Sequence, residues 1–212
     1  MNEDMDLVAA WQAGDAEAGE RLIERHVELV HRFFSNKTHS GIDDLVQQTF
    51  LACIESKRNF AGRASFRSYL LGIARNVLFG HFRERGAAFD PLTSTAAGFA
   101  PGPTPAEEVA QAQEQADLLS ALRTLPLQTQ TLVELAYWET LSDQELAEVL
   151  EFPVGTIKSR LRRARQLLAE AMPGTQTAPR EVPQPGAPST LASWAAQVRD
   201  DDDRPPAKGN RR

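Results

Sequence analysis

Apolar side chains recur along this chain at spacings of three and four residues, the period of a helix with one face turned inward, and no run alternates strictly enough to read as a strand. The pattern predicts helices near residues 6–12, 16–34, 42–58 and 66–85 in the first half. Ile23, Val27, Val30 and Phe34 give the second its apolar face, and Val46, Phe50 and Cys53 do so for the third. From residue 86 to 106 the composition turns to Gly, Ala, Pro, Ser and Thr, and Pro91, Pro101, Pro103 and Pro105 break any periodicity. Helical spacing returns at 107–125 and 127–137, and a further helical segment closes at Met172, Pro173 and Gly174. The expected fold is all-α. Two small helical domains, residues 1–86 and 107–172, are joined by a flexible linker at 87–106 and followed by a Pro-rich tail, 173–212, expected to be mostly disordered.

Residues 142–165 carry the sharpest local signal. Ser142 with Glu145 three residues on predicts a capping box, in which each side chain satisfies a backbone N–H that the new helix leaves unpaired. Leu146, Val149 and Leu150 supply its apolar face; Phe152, Pro153 and Gly155 then interrupt the pattern before Thr156 resumes it. In the second helix Ile157, Leu161, Ala164 and Leu168 face inward, which places Lys158, Ser159, Arg162 and Arg163 on the opposite side. This is a helix-turn-helix with a narrow basic face. Such a face fits a major groove, where arginine reads guanine and neighbouring cations neutralise phosphates.

Charge sharpens this reading. The formal net charge is -6, yet its distribution alternates: -7 over residues 1–56, +6 over 57–85, -10 over 86–155, +4 over 156–172 and +1 over 173–212. Two basic islands in an acidic chain imply two DNA contacts, with the acidic remainder weakening binding unless another protein assists. No apolar run is long enough to span a bilayer, and the first residues are acidic where a signal peptide needs positive charge, so a cytoplasmic protein is expected. Cys53 is the single cysteine, which excludes an internal disulfide, and its apolar neighbours predict a buried thiol. His26, His31 and His39 lack metal-ligand spacing, so neither metal nor cofactor is expected.

The third helix carries Asp44, Gln47, Gln48, Leu51 and Glu55 opposite its core face, an exposed leucine ringed by carboxylates and amides that suits docking against a basic helix. In the fourth, Arg75, Asn76, Phe79 and Arg83 share a face. Upstream, Phe60, Arg63 and Ser65 lie in a polar loop beside Phe66 and Tyr69. Rings beside cations are the chemistry of single-stranded DNA, where unstacked bases rest on aromatic faces and arginine follows the backbone. Phe66 and Tyr69 serve equally well as core residues on spacing alone.

Three runs, Asp43 to Leu51, Phe66 to Asn76 and Pro153 to Leu161, in this order and with a linker between the second and third, resemble a bacterial RNA polymerase sigma factor of the extracytoplasmic-function (ECF) type. The resemblance spans about residues 5–172. It implies a transcription initiation factor that is not an enzyme and has no small-molecule substrate. It implies binding of core RNA polymerase through Asp43, Asp44, Gln47, Gln48 and Leu51. Capture of a flipped base of the -10 element falls to the segment from Phe60 to Arg83, with Phe60, Arg63, Ser65, Phe66, Tyr69, Arg75, Asn76, Phe79 and Arg83 its candidate contacts. Reading of the -35 element falls to Lys158, Ser159, Arg160, Arg162 and Arg163. An anti-sigma factor is a further implied partner, and no membrane insertion is. Gln48 stands where an acidic residue is usual, Tyr69 where Trp is usual, and Gly80 where Asp is usual. A stand-alone helix-turn-helix regulator is the alternative reading; it leaves the first domain unexplained. In the tail, Leu191, Trp194, Ala195 and Val198 are expected to form a short amphipathic turn able to dock on a domain, with Asp200 to Asp203 competing for a basic patch.

Overall fold

The computed structural model describes residues 3–86, 88–102, 104 and 113–172. These residues form helices α1 (Glu3–Gln12), α2 (Ala16–Ser35), α3 (Ile42–Ser56) and α4 (Phe66–Arg85), with a 3-10 turn, Lys57–Asn59, after α3. A short α5 (Ala96–Phe99) follows, then α6 (Gln113–Arg123), α7 (Leu127–Tyr137), α8 (Asp143–Leu150) and α9 (Val154–Ala171). No strand occurs among the described residues.

Local chemistry sets the boundaries. Asp15 caps α2 by accepting from the Ala18 N–H at 3.1 Å, and Ser65 caps α4 by accepting from the Ser68 N–H at 3.2 Å. Gly19 lets α1 approach α2, since a β-carbon there would overlap the Trp11 ring. His26, which spacing treats as incidental, is buried and hydrogen-bonds Asp4 through Nε2 at 2.9 Å, pinning α1 to α2. The buried stripe of α2 runs through Leu22, His26, Leu29, Val30, Phe33 and Phe34. Val27, expected on that stripe, is exposed, because the helix is rotated so that Leu22, Leu29 and Phe33 meet α1, α3 and α4 instead. Leu70, Leu71, Leu78 and Phe82 of the central helix α4 are fully buried, each contributing about 1.5–3 kcal/mol relative to exposure.

The two halves share a core. One continuous apolar cluster runs from Leu7, Leu22, Leu45 and Leu70 into Leu127, Leu135, Leu146, Leu150 and Ile157, while a smaller one joins α6, α7 and α9. The α8 helix lies across α4. The described residues of the expected linker segment are folded onto both halves. Phe89 and Phe99 pack on Phe82, Arg123 donates to the Ala100 and Gly102 carbonyls, and the Leu127 N–H donates to the Ser94 carbonyl at 2.8 Å. The tail, 173–212, with its expected amphipathic turn and aspartate run, lies outside the described residues, as do 105 and 106 of the linker.

Candidate polymerase and nucleic-acid interfaces

Three surfaces carry the predicted site residues. On α3, Asp43, Asp44, Gln47, Gln48 and Leu51 are all exposed, while Leu45, Thr49, Phe50 and Cys53 are buried beneath them. Leu51 is 51% exposed and Ile54 is 42% exposed. Ile54 is missing from the predicted set, although its spacing of three from Leu51 puts it on the same face and adds to the apolar surface there. Asp43 and Asp44 lie in the first turn, where the helix dipole favours carboxylates. Burial pushes the Cys53 thiol up to about 12, leaving it unreactive.

The second surface is built by the 57–65 loop and α4. Phe60, Phe66 and Tyr69 form an aromatic cluster, with Phe60 5.9 Å from Phe66 in an edge-on contact and 5.0 Å from Tyr69. The Tyr69 hydroxyl donates to the Ser56 carbonyl at 3.0 Å and also contacts the Ser56 hydroxyl at 2.7 Å, which fixes the ring. Phe60, Phe66, Phe79 and Arg75 are buried, whereas Arg63, Asn76 and Arg83 are exposed. The face expected to be shared by Arg75, Asn76, Phe79 and Arg83 is thus split. Arg75 and Phe79 turn inward: the Arg75 guanidinium sits 4.7 Å above the Phe79 ring and donates to Glu151 Oε1 of the second half and to Asn76 Oδ1, each at 3.1 Å, while Phe79 packs on Phe89 at 5.7 Å. Arg75 Nε is buried with no hydrogen-bond partner.

The α8 helix meets this surface carboxylate-first. Glu145 Oε1 accepts from the Ser65 hydroxyl at 2.7 Å and the Ser68 hydroxyl at 2.8 Å, while Oε2 closes the predicted capping box with Ser142. Partial burial alone would raise the Glu145 carboxyl; the donors Ser65, Ser142 and Ser68 outweigh it and hold the group down at about 2. A cavity of about 450 Å³ lies between the halves, lined by Asn59, Phe60, Arg63, Tyr69 and Asn76 on one side and by Glu148, Val149 and Glu151 on the other.

The third surface is open. Lys158, Ser159, Arg160, Arg162 and Arg163 all stand exposed on α9, while Ile157, Ala164 and Leu168 are buried, as the periodicity predicts. The helix begins at Val154, two residues before the sequence pattern resumes. Pro153, with φ -60, is already set for a helix start, and Gly155 falls in the exposed first turn where it costs little. Arg160 rests on the Phe152 ring at 3.8 Å, so its direction is fixed by the turn that precedes it. The turn itself needs Glu151 at φ 58, a left-handed position unusual for a residue with a side chain.

Comparison with known proteins explains this arrangement. Residues 22–88 match the Sigma-70 region 2 family model, and residues 115–168 match that of Sigma-70, region 4. The chain is 36% identical over 178 residues to the ECF RNA polymerase sigma factor SigC of Mycobacterium tuberculosis, covering 77% of this chain and 89% of that one. The chain belongs to the ECF RNA polymerase sigma factors. This sigma factor is also 28% identical over 175 residues to the ECF RNA polymerase sigma-E factor of Haemophilus influenzae, across 78% of its own length and 93% of that relative. Its fold is that of CnrH, solved in complex with the cytosolic domain of CnrY, at a TM-score of 0.60 and 24% identity over 80% of this chain and 96% of that one. The sigma factor RpoE from Bartonella quintana, solved with the anti-sigma factor NepR, gives 0.57 at 23% identity over 74% and 98%. In this sigma factor the region 2 match contains the α3 and α4 surfaces, and the region 4 match contains the helix-turn-helix of α8 and α9. It is a transcription initiation factor.

Proposed function

We propose that this sigma factor docks core RNA polymerase through the exposed α3 face and reads promoters at two places, one with each half. Asp43, Asp44, Gln47, Gln48 and Leu51, joined by Ile54, form the docking face. The exposed leucine and isoleucine provide apolar contact area and the carboxylates steer a basic partner. The -35 duplex meets Lys158, Ser159, Arg160, Arg162 and Arg163. The opened -10 strand meets the cavity wall of Asn59, Phe60, Arg63, Tyr69 and Asn76, together with Ser65, Phe66, Arg75, Phe79 and Arg83 around it. The two readers correspond to residues 1–86 and 107–172, with 87–106 between them.

The observation that carries this reading is the solvent-facing row of basic side chains on α9, held by a capped helix-turn-helix, beside an acidic and apolar docking face on the other half. The protein performs no bond chemistry; specificity arises from two DNA contacts whose spacing is fixed by polymerase. Its place of work is the cytoplasm, and no helix of the described residues is long and apolar enough to cross a membrane. An anti-sigma factor is its expected regulator, as NepR is for the neighbouring RpoE. Anisotropy titrations with a promoter defined by mapped transcript starts test the reading. Tight, specific binding is expected with core polymerase and weak, strongly salt-dependent binding without it. Equal affinity in both cases would overturn it in favour of a stand-alone regulator.

A further inference from the structure

The loop assigned to the opened strand is held by a helix that lies outside the span matched by the region 2 family model. Helix α1, residues 3–12, precedes the matched residues 22–88, yet its last residues reach across to the 57–65 loop. Gln12 Nε2 donates to the Lys57 carbonyl at 2.7 Å and to the Phe60 carbonyl at 3.1 Å. Within the loop the Lys57 carbonyl also accepts from the Phe60 N–H, at a long 3.4 Å, so the Gln12 amide grips both ends of a turn that is weakly closed by itself. Lys57 reaches back in return: its Nζ lies 3.5 Å from the Trp11 carbonyl and 5.1 Å from the centre of the Trp11 ring. Gly62, at φ 69 in the left-handed region, leaves room for Met5 of α1, whose methyl group a β-carbon would crowd.

These contacts converge on Phe60. Gln12 fixes its carbonyl and the Phe66 and Tyr69 rings fix its side chain, while the residues that follow, Ala61, Gly62 and Arg63, stand exposed. A glutamine suits the task, because its two N–H groups serve two carbonyls at once without placing a charge beside a phosphate backbone. We propose that Gln12 is a positioning residue for recognition of the opened strand: by bridging the Lys57 and Phe60 carbonyls it sets the pose in which the loop presents Arg63 and the Phe60–Tyr69 wall. The proposal rests on the assignment of this loop to the -10 strand.

The test is transcription by the full chain on core polymerase, with a promoter defined by mapped transcript starts competing in one reaction against single-base variants of its -10 and -35 elements. The ratio of transcript from the intact promoter to that from each variant is read, since loss of folded or polymerase-bound protein scales both promoters alike. Gln12→Met, similar in shape but without a donor, should lower the ratio at a -10 position about fivefold or more and leave the -35 ratios unchanged. Gln12→Glu sets carboxylate oxygens against the two carbonyls and should lower it further, whereas Gln12→Lys keeps donors on a flexible stem and should retain most of it. Arg63→Ala checks the strand assignment by itself. Unchanged -10 ratios in Gln12→Met and Gln12→Glu beside a loss in Arg63→Ala overturn the positioning role and leave the assignment standing; unchanged ratios in all three overturn both. A loss in Gln12→Lys equal to that in Gln12→Met overturns the role of Gln12 as a donor.

Discussion

On α9 the side chains Lys158, Ser159, Arg160, Arg162 and Arg163 stand in solvent, whereas at α4 Arg75 is buried against Glu151 and Gln128 of the second half, Phe79 is buried against Phe89, and Ser65 and Ser68 are hydrogen-bonded to Glu145. Both helices are proposed DNA contacts, but the two are packed differently. The α9 helix buries one stripe, Ile157, Ala164 and Leu168, and leaves the rest of its surface free. The central α4 helix is enclosed by α2, α3 and α8, so nearly every face has a protein neighbour. One basic face is open to solvent; the other is packed against protein.

The contrast can be broken most forcefully at the buried Lys37–Glu134 pair that joins the halves. Lys37→Met strands the Glu134 carboxylate in a buried site and should cost the folded chain about 3–5 kcal/mol, read by urea unfolding. A change well under that would show that the halves are held by apolar contacts alone. Arg162→Ala should cost about 1–3 kcal/mol at one promoter position in the polymerase complex, by an equal amount with or without Lys37→Met, because the α9 face is exposed to solvent. A uniform loss across promoter sequences would assign Arg162 to phosphate instead.

Acid should loosen the contact at the packed face while leaving the exposed one alone. The Glu145 carboxyl is depressed from 4.5 to about 2, so its contribution to the contact between the halves is complete above the ordinary carboxylate range and disappears as pH falls from about 4.5 toward 2. Glu145→Gln should remove this step from the pH dependence of interdomain distance. The smallest expected effect belongs to Gly80→Ala. Open space surrounds the position, so the substitution should stabilise α4 by up to about 1 kcal/mol in thermal unfolding, without changing the distance between the halves.

Much of this molecule is legible in its sequence. Helix positions, the Ser142–Glu145 box, the exposed α3 face and the basic α9 face all follow from local spacing and from side chains that cap their own helix. What spacing misses depends on distant residues. Arg75 reads as an exposed cation but is buried because Gln128 and Glu151 come to meet it from another part of the chain. Lys37, which no pattern marks, is buried because Glu134 and the Phe33 carbonyl and ring receive its charge. The composition of residues 88–102 signals a break in helical pattern, and it says nothing of the Phe89, Phe99 and Arg123 contacts that fold the segment down.

The distance between the halves tests the central claim most directly. Spin labels at Glu24→Cys and Glu170→Cys, both exposed positions, report it by pulsed electron resonance, because the native Cys53 is buried and its thiol too weakly acidic to label. The free chain should give one narrow, short distance, as halves that share a core require. A long and broad distribution would contradict the account.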